Sequence, residues 1–250
     1  MKNYNPFSLK DKIILITGAS SGIGRATAIE CSKMEAKVIL TARNHERLIE
    51  TLSLMDNASI HKIISADLAS DIADLANAIE TKIDGIVHCA GLTIPKLFLF
   101  FSEEESNSIM SVNFFAPIRL TQLLLKQKKI SKPASIVFIS SISGVYCSSI
   151  ANSFYSASKG SINGIVKGLA VELASKGIRV NCVNPGMIDT DILKNSAITE
   201  EDLNKDRQKY PLKRYGKPEE VAYSVIYLLS DASAWMTGSN VLIDGGYTLQ

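Results

Sequence analysis

Short, unbroken apolar runs alternate along this chain with longer stretches in which apolar residues return every three or four positions. The clearest runs are Ile13-Ile14-Leu15-Ile16 and Val38-Ile39-Leu40, and Ile60–Ser65, Gly85–His88, Ser135–Ser140, Ile178–Val183 and Val241–Asp244 also read as strands. Continuous apolar runs of this length fit strands buried on both faces, as in a parallel sheet covered by helices. Between them, helical spacing is predicted after residue 24 (Ala26, Ile29, Met34), over 72–83, from about 102 to 129, around Tyr155, and from Pro218 to about Leu229. Residues 187 to 215 carry no periodicity and read as irregular and polar. Unbroken β–α alternation predicts an α/β fold, a single doubly wound parallel sheet with helices on both faces. No repeat, linker or low-complexity stretch divides residues 1–250, so one domain is expected.

In such sheets a ligand sits beyond the carboxyl ends of the strands. Gly18, Arg43, Asp67, Ala90, Ser141 and Pro185 all fall at predicted strand ends, so that edge is the expected site. The first strand runs into Thr17-Gly18-Ala19-Ser20-Ser21-Gly22-Ile23-Gly24 and then a helix. Glycines there permit positive φ and close backbone approach, and the helix N-terminus offers free N–H groups to a pyrophosphate. The second strand ends in Thr41-Ala42-Arg43-Asn44. An NAD ribose wants an acid at this place, whereas a 2′-phosphate wants an arginine, so Arg43 points to NADP(H).

Tyr155 and Lys159 stand four apart, on one face of a helix. A free phenol titrates near ~10, and an adjacent ammonium favours its phenolate, which is the expected means of tuning it for proton transfer. Ser141 adds a hydroxyl that, with the phenol, can donate to an oxygen gaining charge.

Composition narrows the classes. A net charge of +2 gives no general argument for nucleic acid or an anionic membrane surface, and no apolar run reaches the ~18 residues of a spanning helix. The N-terminus lacks an apolar signal centre, so a cytoplasmic protein is expected. Cys31, Cys89, Cys147 and Cys182, like His45, His61 and His88, are scattered without ligand spacing, and no metal site is expected.

With TGASSGIG, Asp67, Ala90-Gly91, Asn113, Ser141, YSASK and NPGMIDT in this order, the chain resembles the short-chain dehydrogenase/reductase family from about Lys12 to Gly246. The resemblance implies a catalytic tetrad of Asn113, Ser141, Tyr155 and Lys159. Tyr155 would protonate the substrate oxygen, Ser141 would hold it, Lys159 would bond the nicotinamide ribose and lower the tyrosine pKa, and Asn113 would keep a relay water. It implies a cofactor site of Gly18, Ser20, Ser21, Gly22, Ile23, Gly24, Arg43, Asp67, Leu68, Cys89, Ala90, Gly91, Tyr155, Lys159, Pro185, Gly186, Ile188 and Thr190. Residues 187 to 215 would be the substrate lid.

Two departures stand out: His88-Cys89 replaces the family's usual Asn-Asn, and the Ser141–Tyr155 spacing is one residue longer than the commonest one. His88 is expected to bond backbone at its strand end. NPGMIDTDI, GKPEEVA and TGSNVLIDGG are most similar to the 3-oxoacyl-[acyl-carrier-protein] reductases, which implies NADPH-dependent reduction of a 3-oxoacyl thioester. A dehydrogenase of a small polyol, sugar or steroid alcohol is the alternative. A non-catalytic cofactor-binding sensor is disfavoured by the intact tyrosine and lysine. The resemblance further implies a homotetramer, packed through the 102–129 helix and the one bearing Lys159 (Ile109, Leu120, Leu123, Leu124; Ile162, Ile165, Leu169). It also implies a basic patch, Lys132 with Lys176, beside the site to hold an acidic carrier.

Overall fold

The computed structural model describes residues 4–190 and 199–249. Seven parallel strands form one sheet in the order β3-β2-β1-β4-β5-β6-β7. They are β1 Ile13–Thr17, β2 Lys37–Ala42, β3 Lys62–Ser65, β4 Ile83–His88, β5 Ile130–Ile139, β6 Ile178–Pro185 and β7 Asn240–Ile243. The helices are α1 Gly22–Lys33, α2 His45–Ser53, α3 Ile72–Ala78, α4 Glu103–Met110, α5 Ala116–Lys126, α6 Ser153–Ala174, α7 Glu200–Arg207 and α8 Pro218–Leu229. The strand order turns back on itself between β1 and β4, the crevice where doubly wound sheets hold ligands.

The central strands are apolar throughout because each face meets its own helical layer. Leu15, Ile86, Ile136, Phe138 and Val180 pack with α3, α5 and α6, while Ile14, Ile16, Val87, Val137 and Val183 pack with α1, α2 and α8. Alternate residues of each strand thus serve opposite cores, and each fully buried large side chain contributes about 1.5–3 kcal/mol.

The predicted 102–129 helix is two α segments joined by a π turn, Ser111–Phe115. Its start is fixed by a capping box: Ser102 Oγ accepts from the Glu105 N–H, and the Glu105 carboxylate accepts from the Ser102 N–H. Glu105 also pairs with Lys96 at 2.7 Å, and the Lys96 N–H donates to the Ala151 carbonyl, so the segments leading into α4 and α6 are tied together. Glu103–Lys126 is long and apolar enough to cross a membrane by length and composition alone, although its inward residues Ile109, Leu120 and Leu124 are fully buried in this protein.

Residues 187–215, expected to be irregular, contain the eight-residue helix α7. Its sequence gives no helical periodicity because Leu203 is its only apolar residue. Its start is carried by Thr199, which accepts from the Asp202 N–H, and its acidic first turn and basic last turn suit the helix dipole. Residues 191–198 of the expected lid lie outside the described residues.

Candidate active site

The glycine turn joins β1 to α1 at the carboxyl edge. Gly18 (φ +68°) lies against the β4 end so closely that a Cβ there would come within 2.8 Å of the Ala90 nitrogen. Gly24 is closed in the same way, its Cβ position being 2.2 Å from the Gly18 carbonyl oxygen. Ser21 precedes α1 in an extended conformation and makes no side-chain cap, so the first-turn N–H groups are left to a ligand. Ser20, Ser21, Gly22 and Ile23 are all partly exposed along this turn. Across the cleft, Thr190 Cγ2 is 3.3 Å from where a Gly22 Cβ would stand. The loop after Pro185 and Gly186 therefore reaches from the β6 end over the glycine turn.

Arg43 is exposed at the end of β2 and has no hydrogen-bond or ion-pair partner among the described residues. Arg25, by contrast, is engaged by Ser20 O, Thr51 and Glu50. Asp67 shapes its own turn, with Oδ1 accepting from the Ala69 N–H, and the Leu68 side chain is buried in the core, so Leu68 offers a ligand its backbone only.

The four tetrad residues converge. A Cβ on Gly91 would sit 3.6 Å from both Asn113 Oδ1 and Lys159 Nζ. Asn113 lies in the π turn, buried, and exchanges two hydrogen bonds with Leu92: Oδ1 accepts from the Leu92 N–H at 2.7 Å and Nδ2 donates to the Leu92 carbonyl at 2.8 Å. Nδ2 also donates to Ser158 Oγ, which itself donates to the Tyr155 carbonyl. Pro117, four residues after Asn113, has no N–H and so cannot close the ordinary helical bond onto the Asn113 carbonyl. Lys159 is buried and donates to the Ile139 carbonyl at 2.8 Å, while its own carbonyl accepts from Ser140 Oγ and Asn163. Ser158, Ser140, Asn163 and the Ile139 carbonyl were not singled out from sequence. The serines lie within or beside the motifs, but a main-chain acceptor leaves no sequence signal.

The electrostatics correct one expectation. The Tyr155 phenol is pushed up by burial, with a hydrogen bond from Ser141 pulling the other way, where the spacing to Lys159 implied a lowered phenol. Lys159 Nζ is 5.8 Å from the Tyr155 ring centre, and its proton is directed at Ile139. Burial instead lowers Lys159 itself, to about 8.

The two sequence departures are accommodated locally. Cys89 and Ala90 both donate their N–H groups to Thr17 Oγ1, so the turn keeps its main-chain form without the amides. Burial pushes the Cys89 thiol up to about 12. His88 bonds a side chain and not the expected backbone, with Nε2 2.9 Å from Thr121 Oγ1. The Thr121 hydroxyl already donates to the Pro117 carbonyl, so Nε2 carries the proton, and Nδ1 is left without a partner among the described residues. Burial holds His88 neutral, down to about 3. The long Ser141–Tyr155 connection is taken up by a compact turn: Gly144 N–H donates to Cys147 O, and Gly144 (φ +99°) lies against the Ser156 carbonyl.

One further expectation is corrected. Lys132 and Lys176 do approach each other, through Gly177 and Pro133, but at the start of β5 and the end of α6. Ile139 lies seven steps along β5 from Lys132, and at ~3.3 Å a step that is on the order of 20 Å from the strand's carboxyl end. Within a protomer they do not flank the site. Of the helix positions expected at a subunit interface, Ile109, Leu120, Leu124 and Ile162 are spent on the protomer's own core, Leu123, Ile165 and Leu169 are partly exposed, and nearby Phe115 and Val171 are exposed.

The enzyme class is decided by comparison with known proteins. A family model described as enoyl-(acyl carrier protein) reductase matches residues 18–248. A tropinone reductase homolog of Arabidopsis thaliana is 35% identical over 100% of this chain and 97% of its own length. The chain belongs to the short-chain dehydrogenase/reductase family. It is an NAD(P)-dependent oxidoreductase acting on CH–OH groups. A 3-oxoacyl-[acyl-carrier-protein] reductase of Thermotoga maritima is 32% identical over 96% of the chain and 99% of that protein. A solved Agrobacterium tumefaciens structure with bound NADP, proposed to be a 2-deoxy-d-gluconate 3-dehydrogenase, superposes with TM-score 0.88 at 29% identity, covering 99% of this chain and 100% of that one. Among the described residues no group of His, Cys, Asp and Glu is placed to hold a metal ion.

Proposed function

We propose that this short-chain reductase uses NADPH to reduce the ketone of a 3-oxoacyl thioester to a secondary alcohol. What supports the substrate reading is a set of exposed apolar side chains in the segments that adjoin Ser141, Tyr155 and Gly186, which we take as the rim of the site. Val145, Tyr146 and Ile150, in the loop joining Ser141 to α6, and Met187, after Gly186, are all exposed. Such a rim suits an acyl chain better than a polyol, whose hydroxyls would lose water there without gaining partners. The thioester is proposed on this rim, without help from Lys132 and Lys176 of the same protomer.

The residues present fit the cofactor. The Gly18–Gly24 turn and the uncapped start of α1 suit a pyrophosphate, and the unpartnered Arg43 suits a 2′-phosphate. NADPH supplies the hydride. Ser141 and Tyr155 would donate to the carbonyl oxygen as it gains charge, and Tyr155 would give up its proton to it. Lys159, held beside Asn113 and Gly91, would restore that proton, and the Asn113 carbonyl that Pro117 leaves without its usual helical donor would accept from a water that resupplies Lys159. A homotetramer is proposed with this activity, Phe115 and Val171 being apolar side chains that a second copy would cover.

The sugar- and polyol-alcohol reading draws on the NADP-bound solved neighbour. Cofactor consumption against acetoacetyl thioesters, and cofactor reduction against a polyol panel, separate the two. Thioester turnover with the polyols inert is expected. Turnover of polyols alone would overturn the thioester reading.

A further inference from the structure

The loop assigned to the nicotinamide side of the cleft is held from behind by a side chain that no motif includes. Gly186 donates to the Ile243 carbonyl, which fixes the loop's first residue to the sheet. The next three residues are fixed by the segment after α7. The Met187 carbonyl accepts from the Gly216 N–H at 3.0 Å, and the Asp189 N–H donates to the Gly216 carbonyl at 2.8 Å. The remaining bond is made by a side chain: the Met187 N–H donates to Tyr210 Oη at 3.2 Å. Tyr210 is 4% exposed, with its ring edge-on to Tyr215 at 5.6 Å and tilted against Tyr247 at 4.8 Å. Leu212 N–H donates to Gly245 O, and a Cβ on Gly246 would meet Pro211 at 2.9 Å, so the backbone around Tyr210 is seated on the end of β7. The phenol therefore rests on a fixed base and meets the loop at its only side-chain anchor among these bonds.

We infer that Tyr210 is a positioning residue for the cofactor, setting the height of the Gly186–Thr190 loop over the glycine turn through the Met187 N–H. The inference rests on the reading that this loop lines the nicotinamide. Thr190 lies over Gly22, so a change in loop height is felt directly at the cleft. Burial also keeps the phenol protonated, pushed up to about 12, so its oxygen stays a neutral acceptor for the Met187 N–H across the working pH range. Tyr215, the neighbouring phenol, does different work: its hydroxyl is bonded to Asp206 and to the Leu203 carbonyl in α7. The two tyrosines share packing but not the contact to the loop, which supplies the control.

The test is NADPH affinity, measured by fluorescence titration without substrate, for Tyr210→Phe, Tyr215→Phe and Thr190→Ala beside the wild type. Phenylalanine keeps the ring packing at 210 and removes one neutral hydrogen bond, so Tyr210→Phe is expected to weaken NADPH roughly three- to ten-fold. KM for NADPH should rise with it, KM for the carbonyl substrate should stay within about two-fold, and Tyr215→Phe should bind NADPH like the wild type. Unchanged NADPH affinity in Tyr210→Phe, with Thr190→Ala weakened, would overturn the role of Tyr210 and leave the loop reading standing. Equal losses in Tyr210→Phe and Tyr215→Phe would also overturn it, since packing would then explain both. Unchanged affinity in Tyr210→Phe and in Thr190→Ala would overturn it together with the loop reading.

Discussion

Lys159 is the residue whose environment departs furthest from what its sequence spacing implies. Spacing places it one turn from Tyr155, and it is indeed there, but its proton goes to the Ile139 carbonyl and its burial lowers it to about 8. A lysine so lowered loses its charge as pH rises through about 8, and with it the ability to pass a proton on to Tyr155. The rate of carbonyl reduction at saturating NADPH is therefore expected to fall on an alkaline limb near that pH. A rate still flat beyond pH 9.5 would contradict this role. Arg43 makes a separate prediction: a charge-assisted contact to phosphate contributes about 1.5–3 kcal/mol. Arg43→Ala should therefore weaken NADPH by roughly ten- to a hundred-fold and NADH little. Titration of both cofactors decides it, and equal losses would remove the phosphate role. At this scale the side chains that the structure brings together around Tyr155 were legible because their spacing and position at strand ends and on one helix could be read from sequence. The Ile139 carbonyl, the Thr17 hydroxyl under Cys89 and Ala90, and the Met187–Tyr210 bond were not legible, since each depends on which backbone group tertiary packing brings near.

Among the elements, β4 shows how a substitution at a strand end is absorbed. His88 leaves the strand on the α5 side, stacks on Phe138 at 4.7 Å and bonds Thr121, so the site edge above it keeps its backbone turn. The imidazole is neutral when folded, down to about 3, whereas in the unfolded chain it takes up a proton near the ordinary 6.5. Its folded pKa is depressed, so the stability it lends is fully present above pH 6.5 and is lost as pH falls from there towards 3. The slope from this one group is about 1.4 kcal/mol per pH unit. Denaturant unfolding from pH 7 to pH 4 is expected to show a steeper loss in the wild type than in His88→Asn, and equal slopes would show that His88 is not the group. The strands, long helices and glycine turn were readable from periodicity, whereas α7 was not. Its residues turn no apolar face inward, and what holds it is Tyr215 on Asp206 and Leu203, from outside the helix.

At the scale of the molecule, the parallel sheet brings seven strand ends to one edge, and that edge holds the glycine turn, Arg43, Asp67, the Ala90-Gly91 turn, Ser141 and the Pro185–Thr190 loop. Topology of this kind follows from unbroken β–α alternation, which is why the site's place was readable before its geometry. The same topology puts Lys132 and Lys176 at the other edge, a placement that linear distance from Ser141 and Tyr155 does not reveal because a strand or a helix carries the chain across the molecule in between. What unites the edge is one claim: Tyr155 gives a proton to a ketone oxygen that receives hydride from NADPH. Consumption of NADPH with an acetoacetyl thioester by wild type and Tyr155→Phe, followed by cofactor absorbance with NADPH binding measured in parallel, tests it most directly. The variant is expected to bind NADPH within a few-fold of the wild type and to turn over roughly a hundred- to ten-thousand-fold more slowly. Turnover by Tyr155→Phe at half the wild-type rate would contradict the account.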